Sequence, residues 1–243
     1  MTHLKFNLTD DVPRDWAQEI WHQALTREGH SWYTTALPEE IGQGEAVVKR
    51  YFNKPRHKRF RRLLYGRAAR EGKGLILFHH SGIAAVPFLF CAQERRFGLV
   101  KRGIVVTIRV PAPNIEEAYL ADPDPALLQG TAYALALIHR AGFAHGDPRL
   151  RNFLNTPSHQ QVLDLASWSR FTPRLQIKDL SRFLGRVIVY SESDNLLPSL
   201  LKSYLSVGLT IPIPTARLYQ RAATSAQKKI RQTRTTASES GSD

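Results

Sequence analysis

The chain is 243 residues long, enough for one large domain or two small lobes around a substantial core. Its 42% hydrophobic and 9% aromatic content excludes a disordered protein, and its single cysteine, Cys91, excludes an internal disulfide framework and suits a reducing compartment. A formal net charge of +13 calls for an anionic partner: nucleic acid, a phosphorylated substrate or an acidic membrane face.

No secretory signal is visible, because the first twenty residues lack an apolar core and carry Asp10, Asp11 and Asp15. Residues 1–27 read as an N-terminal helical extension: Trp16, Ile20 and Leu25 share a helical face and Pro13 can start it. The run "EAVVKRYF", 45–52, is β-branched and aromatic and predicts a strand. Residues 50–62 then carry seven Lys/Arg and no acid. The stretch 59–82 predicts a helix, weakened by Gly66, Gly72 and Gly74. Residues 84–110 give two or three short strands. The longest apolar run, Ile83 to Ala92, is half of the roughly 20 residues that span a bilayer. Cys91 lies inside it and reads as a small buried apolar residue.

After a connector near 110–124, Asp124-Pro125 is a cap followed by proline at the first helical position. The helix it opens puts Leu128, Thr131, Leu135 and Ile138 on one face and stops at Gly142. "NFL" and "QVLDLA" predict short strands joined by the turn-rich "NTPSHQ". Helical periodicity returns from Ile177 to Tyr204, a basic C-terminal helix follows, and residues 232–243 read as a disordered tail. The organisation is α+β: strand-rich before the connector, mostly helical after it.

The junction between the hairpin and the capped helix holds the chemistry. His145, Asp147 and Asn152 fall within eight residues, and Asp164 sits in the apolar run that follows. A carboxylate on a buried strand costs several kcal/mol unless it is compensated. A divalent cation is one such compensation, since Mg²⁺ takes a few carboxylate or amide oxygens and fills its shell with phosphate. Asn152 and Asp164 would hold the metal, and Asp147 would accept a hydrogen bond from an incoming hydroxyl. That is the division of roles in phosphoryl transfer, and H-x-D-x-x-x-x-N matches its catalytic loop. His145 reads as a structural buttress. Asp179 would either bond the loop backbone or cap its own helix. His79 and His80 lack partners at metal-ligand spacing.

"HRAGFAHGDPRLRNFL" resembles the catalytic loop of the protein-kinase-like superfamily, and in particular of the small bacterial lipopolysaccharide core kinases that phosphorylate Kdo or heptose. The resemblance covers about residues 28–205. It implies a two-lobed protein-kinase-like fold, with a strand-rich N-lobe over 28–112 containing one helix and a mostly helical C-lobe over 113–231. It leaves no long activation segment between Asp164 and "IKDLSRFLGRV". It makes Lys49 the ATP lysine, Glu71 its helical partner, and Asp147, Asn152 and Asp164 the catalytic and metal-binding groups. ATP and Mg²⁺ are the cofactors it implies, and a hydroxyl of the lipopolysaccharide core the acceptor. The protein would be cytoplasmic, peripheral on the inner face of the cytoplasmic membrane, with its basic segments meeting anionic lipid. The sequence departs from the family in three places. Asp164 is followed by Leu165-Ala166 with no glycine, Pro148 stands where leucine follows the catalytic Asp, and no G-x-G-x-x-G appears. The phosphate-covering turn would then lie at Gly29-His30-Ser31. The catalytic loop alone does not separate acceptors, which keeps a protein or small-molecule kinase as an alternative, and the missing glycine-rich loop and Pro148 keep a non-catalytic binding module as another. No recognised nucleic-acid motif accompanies the charge.

Overall fold

The computed structural model describes residues 2–27, 31–52 and 66–240. The chain divides into two compact units, Met1–Pro111 with Asp164–Ser167, and Ala112–Leu163 with Trp168–Asp243.

In the first unit, β1 (Thr2–Leu8), β2 (Trp32–Ala36), β3 (Glu45–Phe52), β4 (Phe88–Arg96) and β5 (Leu99–Ile108) form one antiparallel sheet in the order β1-β4-β5-β3-β2. Residues 1–27 are therefore a strand followed by the expected helix, both packed into this unit and not extending from it. "THLKFNL" alternates with period two, which suits a strand, and it pairs along β4 from Thr2↔Arg96 to Leu8↔Phe90. Helix α1 (Arg14–Thr26) follows it and buries Ala17, Ile20, Trp21 and Ala24 against one face of the sheet, on Ala46, Val48, Phe90, Ile104 and Val106. Residues alternate along β3, so Ala46 and Val48 face α1 while Lys49 and Tyr51 share another register. Helix α2 (Arg67–His80) packs on β4 and β5. A Cβ on its Gly72 would lie 2.9 Å from the Phe88 ring and 3.1 Å from Cys91 Sγ, so glycine is what lets helix and sheet approach this closely. Cys91 is buried, and burial pushes its thiol up to about 11. The helix expected over 59–82 is thus found from Arg67. Residues 59–65 and most of the basic run 50–62 lie outside the described residues.

The second unit opens with α3 (Ile115–Ala121), inside the stretch expected to be a connector. The reason is local: Asn114 accepts from the Glu117 amide at 3.0 Å, and the Glu117 side chain accepts from the Asn114 amide at 3.2 Å, a reciprocal capping box. Helix α4 (Pro125–Arg140) starts as the sequence indicates, with Asp124 accepting from the Ala126 amide at 2.8 Å. Its buried stripe includes Leu128, Thr131, Leu135 and Ile138. Strand β6 (Phe143–Ala144) pairs with β9 (Ser169–Arg170), and β7 (Phe153–Asn155) with β8 (Gln160–Val162). Helix α5 (Pro173–Ser191), capped by Thr172, packs on α7 (Thr215–Ser240), and α6 (Leu197–Leu205) packs on α4. Helix α7 carries helical backbone through 232–240, where composition predicted a disordered tail. The good helix formers of "AATSAQKKIRQ" propagate it at little cost per residue.

Candidate active site

In the first unit three elements meet at one amine. Lys49 Nζ, on β3, lies 3.2 Å from Glu71 Oε1 on α2 and 2.6 Å from Asp164 Oδ1. The Glu71 side chain is only 5% exposed, against 28% for Lys49 and 31% for Asp164. Burial raises the proton affinity of Glu71, and the Lys49 charge opposes that rise. Glu71 has a second donor that the sequence reading missed. Tyr51 stands two residues after Lys49, on the same face of β3, and its hydroxyl donates to Glu71 Oε2. Burial first, and then the negative charge of Glu71, hold the Tyr51 phenol far above its ordinary pKa, so it is a committed donor. The Arg67 guanidinium sits 4.8 Å from the centre of its ring. The signal was available: period two from Lys49 leads to Tyr51.

Asp164 does not lie in mid-strand as "QVLDLA" predicted. Strand β8 ends at Val162, Asp164 takes a left-handed φ of 57°, and Leu165–Ser167 form a single 3₁₀ turn against which α2 packs. Aspartate is among the few residues that visit this conformation readily. Backbone turning, not strand pleating, aims its carboxylate.

In the second unit the loop from His145 to Asn152 is held from several sides. The Gly146 amide donates to both oxygens of Asp179, at 3.2 and 3.1 Å, so Asp179 bonds the loop backbone and does not cap α5. Asp179 is fully buried and lies 3.4 Å from His139 Nε2. His139 Nδ1 is 2.6 Å from the Tyr204 hydroxyl, which also accepts from Gln176 at 3.0 Å. This buried polar chain ties α4, α5 and α6 to the loop, and such networks rigidify when every member is satisfied. His145 is buried with its ring 5.5 Å from Phe153, the structural place expected of it. Within the loop, the Arg149 amide donates to the Asp147 carbonyl at 2.9 Å and the Asn152 amide to the Arg149 carbonyl at 2.9 Å. Pro148 therefore interrupts no turn bond that the loop needs. The Asn152 side-chain amide donates to the Asp147 carbonyl at 2.9 Å, which commits its nitrogen and leaves Oδ1 as its lone-pair atom. The Leu163 amide donates to the Asn152 carbonyl at 3.0 Å, which extends the β7–β8 ladder and sets Asn152 opposite the residue before Asp164.

Asp147 is half-buried, and its Oδ1 receives Arg149 Nε at 2.9 Å. Of the remaining expectations, Ser31 precedes β2, and its carbonyl accepts from the Arg50 amide at 2.7 Å. Gly29 and His30 lie outside the described residues. Among the described residues β2 is the edge of the sheet, with no strand paired to its outer side.

Neither a protein-family model nor a curated protein matches the chain. Solved structures do match. WaaP, solved in complex with acyl carrier protein, aligns with 92% of this chain and 98% of its own at 18% identity and a TM-score of 0.63. An aminoglycoside-3'-phosphotransferase of type VIII aligns with 84% of this chain and 96% of its own, at 12% identity and a TM-score of 0.55. The fold is protein-kinase-like. A divergent kinase lacking the glycine-rich loop, which regulates membrane ultrastructure of the Toxoplasma parasitophorous vacuole, covers 87% of this kinase-like chain and 84% of its own. Its identity is 13% and its TM-score 0.50.

Proposed function

We propose that the protein is a phosphotransferase that moves the γ-phosphoryl group of ATP to a hydroxyl, with an inner-core sugar of lipopolysaccharide, Kdo or heptose, as acceptor. The observation that carries this reading is the Lys49 amine, paired at once with a buried glutamate and with an aspartate 115 residues further along the chain. A lone surface lysine gains little from one ion pair. A lysine fixed between two carboxylates is a pre-positioned cation, the kind of group that takes the phosphates of a nucleotide.

The donor set fits a magnesium-bound nucleotide. Among the described residues no group of three or more His, Cys, Asp or Glu could cage a metal, so a cation there must draw most of its oxygens from phosphate and water, as Mg²⁺ commonly does. Asp164 and Oδ1 of Asn152 would hold it, and it would neutralise charge on the phosphates. Lys49, kept in place by Glu71, would bind the phosphates and leave Asp164 for the metal. Asp147 would orient the acceptor hydroxyl and take its proton on Oδ2, the oxygen that Arg149 leaves open, as the new oxygen–phosphorus bond forms.

The test is transfer of labelled γ-phosphate to core oligosaccharide. Asp147→Ala should lower the rate by about 10²–10⁴-fold, the usual worth of a positioned base. Equal rates for Asp147→Ala and the wild type refute the assignment. A second reading, a non-catalytic module, is motivated by the lack of a G-x-G-x-x-G in the sequence. Binding of Mg-ATP with no transfer to any hydroxyl would favour it.

A further inference from the structure

Helix α5 passes beneath the Asp147 loop and presents Arg182, Arg186 and Tyr190 at successive turns of one face. Arg182 Nη1 donates to the Gly146 carbonyl at 2.5 Å, which fixes the start of this row one residue before Asp147. Arg186 follows. Its guanidinium carries five donors and is half-buried, yet it makes no hydrogen bond or ion pair among the described residues. It is depressed in proton affinity first by burial and then by repulsion from Arg149, with Asp147 and Glu116 the nearby anions. Both of those anions are already engaged: Asp147 by Arg149, and Glu116 by the Tyr190 hydroxyl. Burying part of an uncommitted cation beside another one is unfavourable unless something anionic arrives to use it.

We propose that Arg182 and Arg186, together with Arg149, hold an anionic group, carboxylate or phosphate, that the acceptor carries beside the hydroxyl it presents to Asp147. This rests on the phosphotransferase reading and adds the acceptor's charge to it. The terminal phosphate of the nucleotide has the same oxyanion chemistry, but the row favours the acceptor. From Arg182 to Tyr190 it runs about 12 Å along α5 and ends in a phenol and a carboxylate, groups that suit a polyhydroxylated chain better than a single phosphate.

Calorimetry on the full chain tests this with lipid-free core oligosaccharide in two forms. One is native; the other has its carboxylates methyl-esterified and its phosphates removed. The native form should bind at least about tenfold more tightly, the usual worth of a charge-assisted hydrogen bond. Arg186→Gln should abolish most of that preference. So should Arg182→Gln, and the rise in melting temperature caused by Mg-ATP should persist in both. Equal binding of the two forms overturns the proposal. So does an unchanged preference in both variants, or a loss of the Mg-ATP effect with the sugar preference intact. Transfer to both forms with equal kcat/KM would retain the phosphotransferase reading and discard the anion site alone. Arginine-dependent binding of the native form without any transfer would do the reverse.

Discussion

Glu71 is the residue where the balance of forces is tightest. A carboxyl that holds its proton more firmly in the folded state than its ordinary 4.5 gives the folded form extra protons above that pH. Stability therefore falls as pH climbs through the window between the unfolded and the raised value. Donation from Lys49 and Tyr51 narrows that window by favouring the charged form. Tyr51→Phe removes one donor and widens it upward. The variant should lose about 1–3 kcal/mol at about pH 8 and markedly less at about pH 5, read by denaturant melts at both values. An equal loss at both would mean that Tyr51 acts by packing alone. Asp164 shows a different economy. Its left-handed backbone is one that Asn also tolerates and β-branched residues do not, so its charge and its conformation can be varied separately.

The elements show what the sequence disclosed and what it hid. Strand β3 stands where β-branched and aromatic residues put it, 45–52, and α4 opens on its predicted aspartate cap, because both signals are local. Helix α3 was legible but overlooked: Asn114 and Glu117 are a capping box three residues apart, within a segment too short to show periodicity. The Lys49–Glu71 pair was expected only through the family resemblance. The tie from Asp179 through His139 to Tyr204 was not, since it joins three helices by contacts that no local pattern encodes. Close helix contact was hidden for the same reason. Gly185 of α5 faces α7 so closely that a Cβ would lie 2.7 Å from the Ala222 carbonyl oxygen and 2.8 Å from Ser225 Cβ. Gly185→Ala should cost about 1–3 kcal/mol by overpacking, and each kcal/mol should lower the melting temperature by about 2–4 °C. A melting curve matching the wild type would show that α7 shifts away freely.

At the scale of the molecule the dominant quantity is charge. Among the described residues no helix is long and apolar enough to cross a membrane. Helix α7 buries Leu218, Ala222 and Ala226 at four-residue intervals and leaves Arg217, Arg221 and Lys228 exposed, a basic face on an anchored helix. Each basic residue near an anionic surface contributes about 1 kcal/mol at moderate ionic strength. Sedimentation with vesicles should therefore rise with phosphatidylglycerol content and fall with salt, and reversing Arg217, Arg221 and Lys228 to glutamate should abolish it. Retention by neutral vesicles at high salt would point to apolar insertion instead.

The four residues Asp164–Ser167 belong to the first unit although the chain has already built most of the hairpin side of the second. On the ribosome, the opening 111 residues emerge without the turn that α2 rests against and without the acid that grips Lys49. Synthesis order and assembly order thus diverge: the earlier-made half stays incomplete until residue 167 has been delivered. The first half cannot finish its lysine clasp as an independent fragment, and a nascent chain stalled ahead of that point holds the amine and the glutamate but not the aspartate.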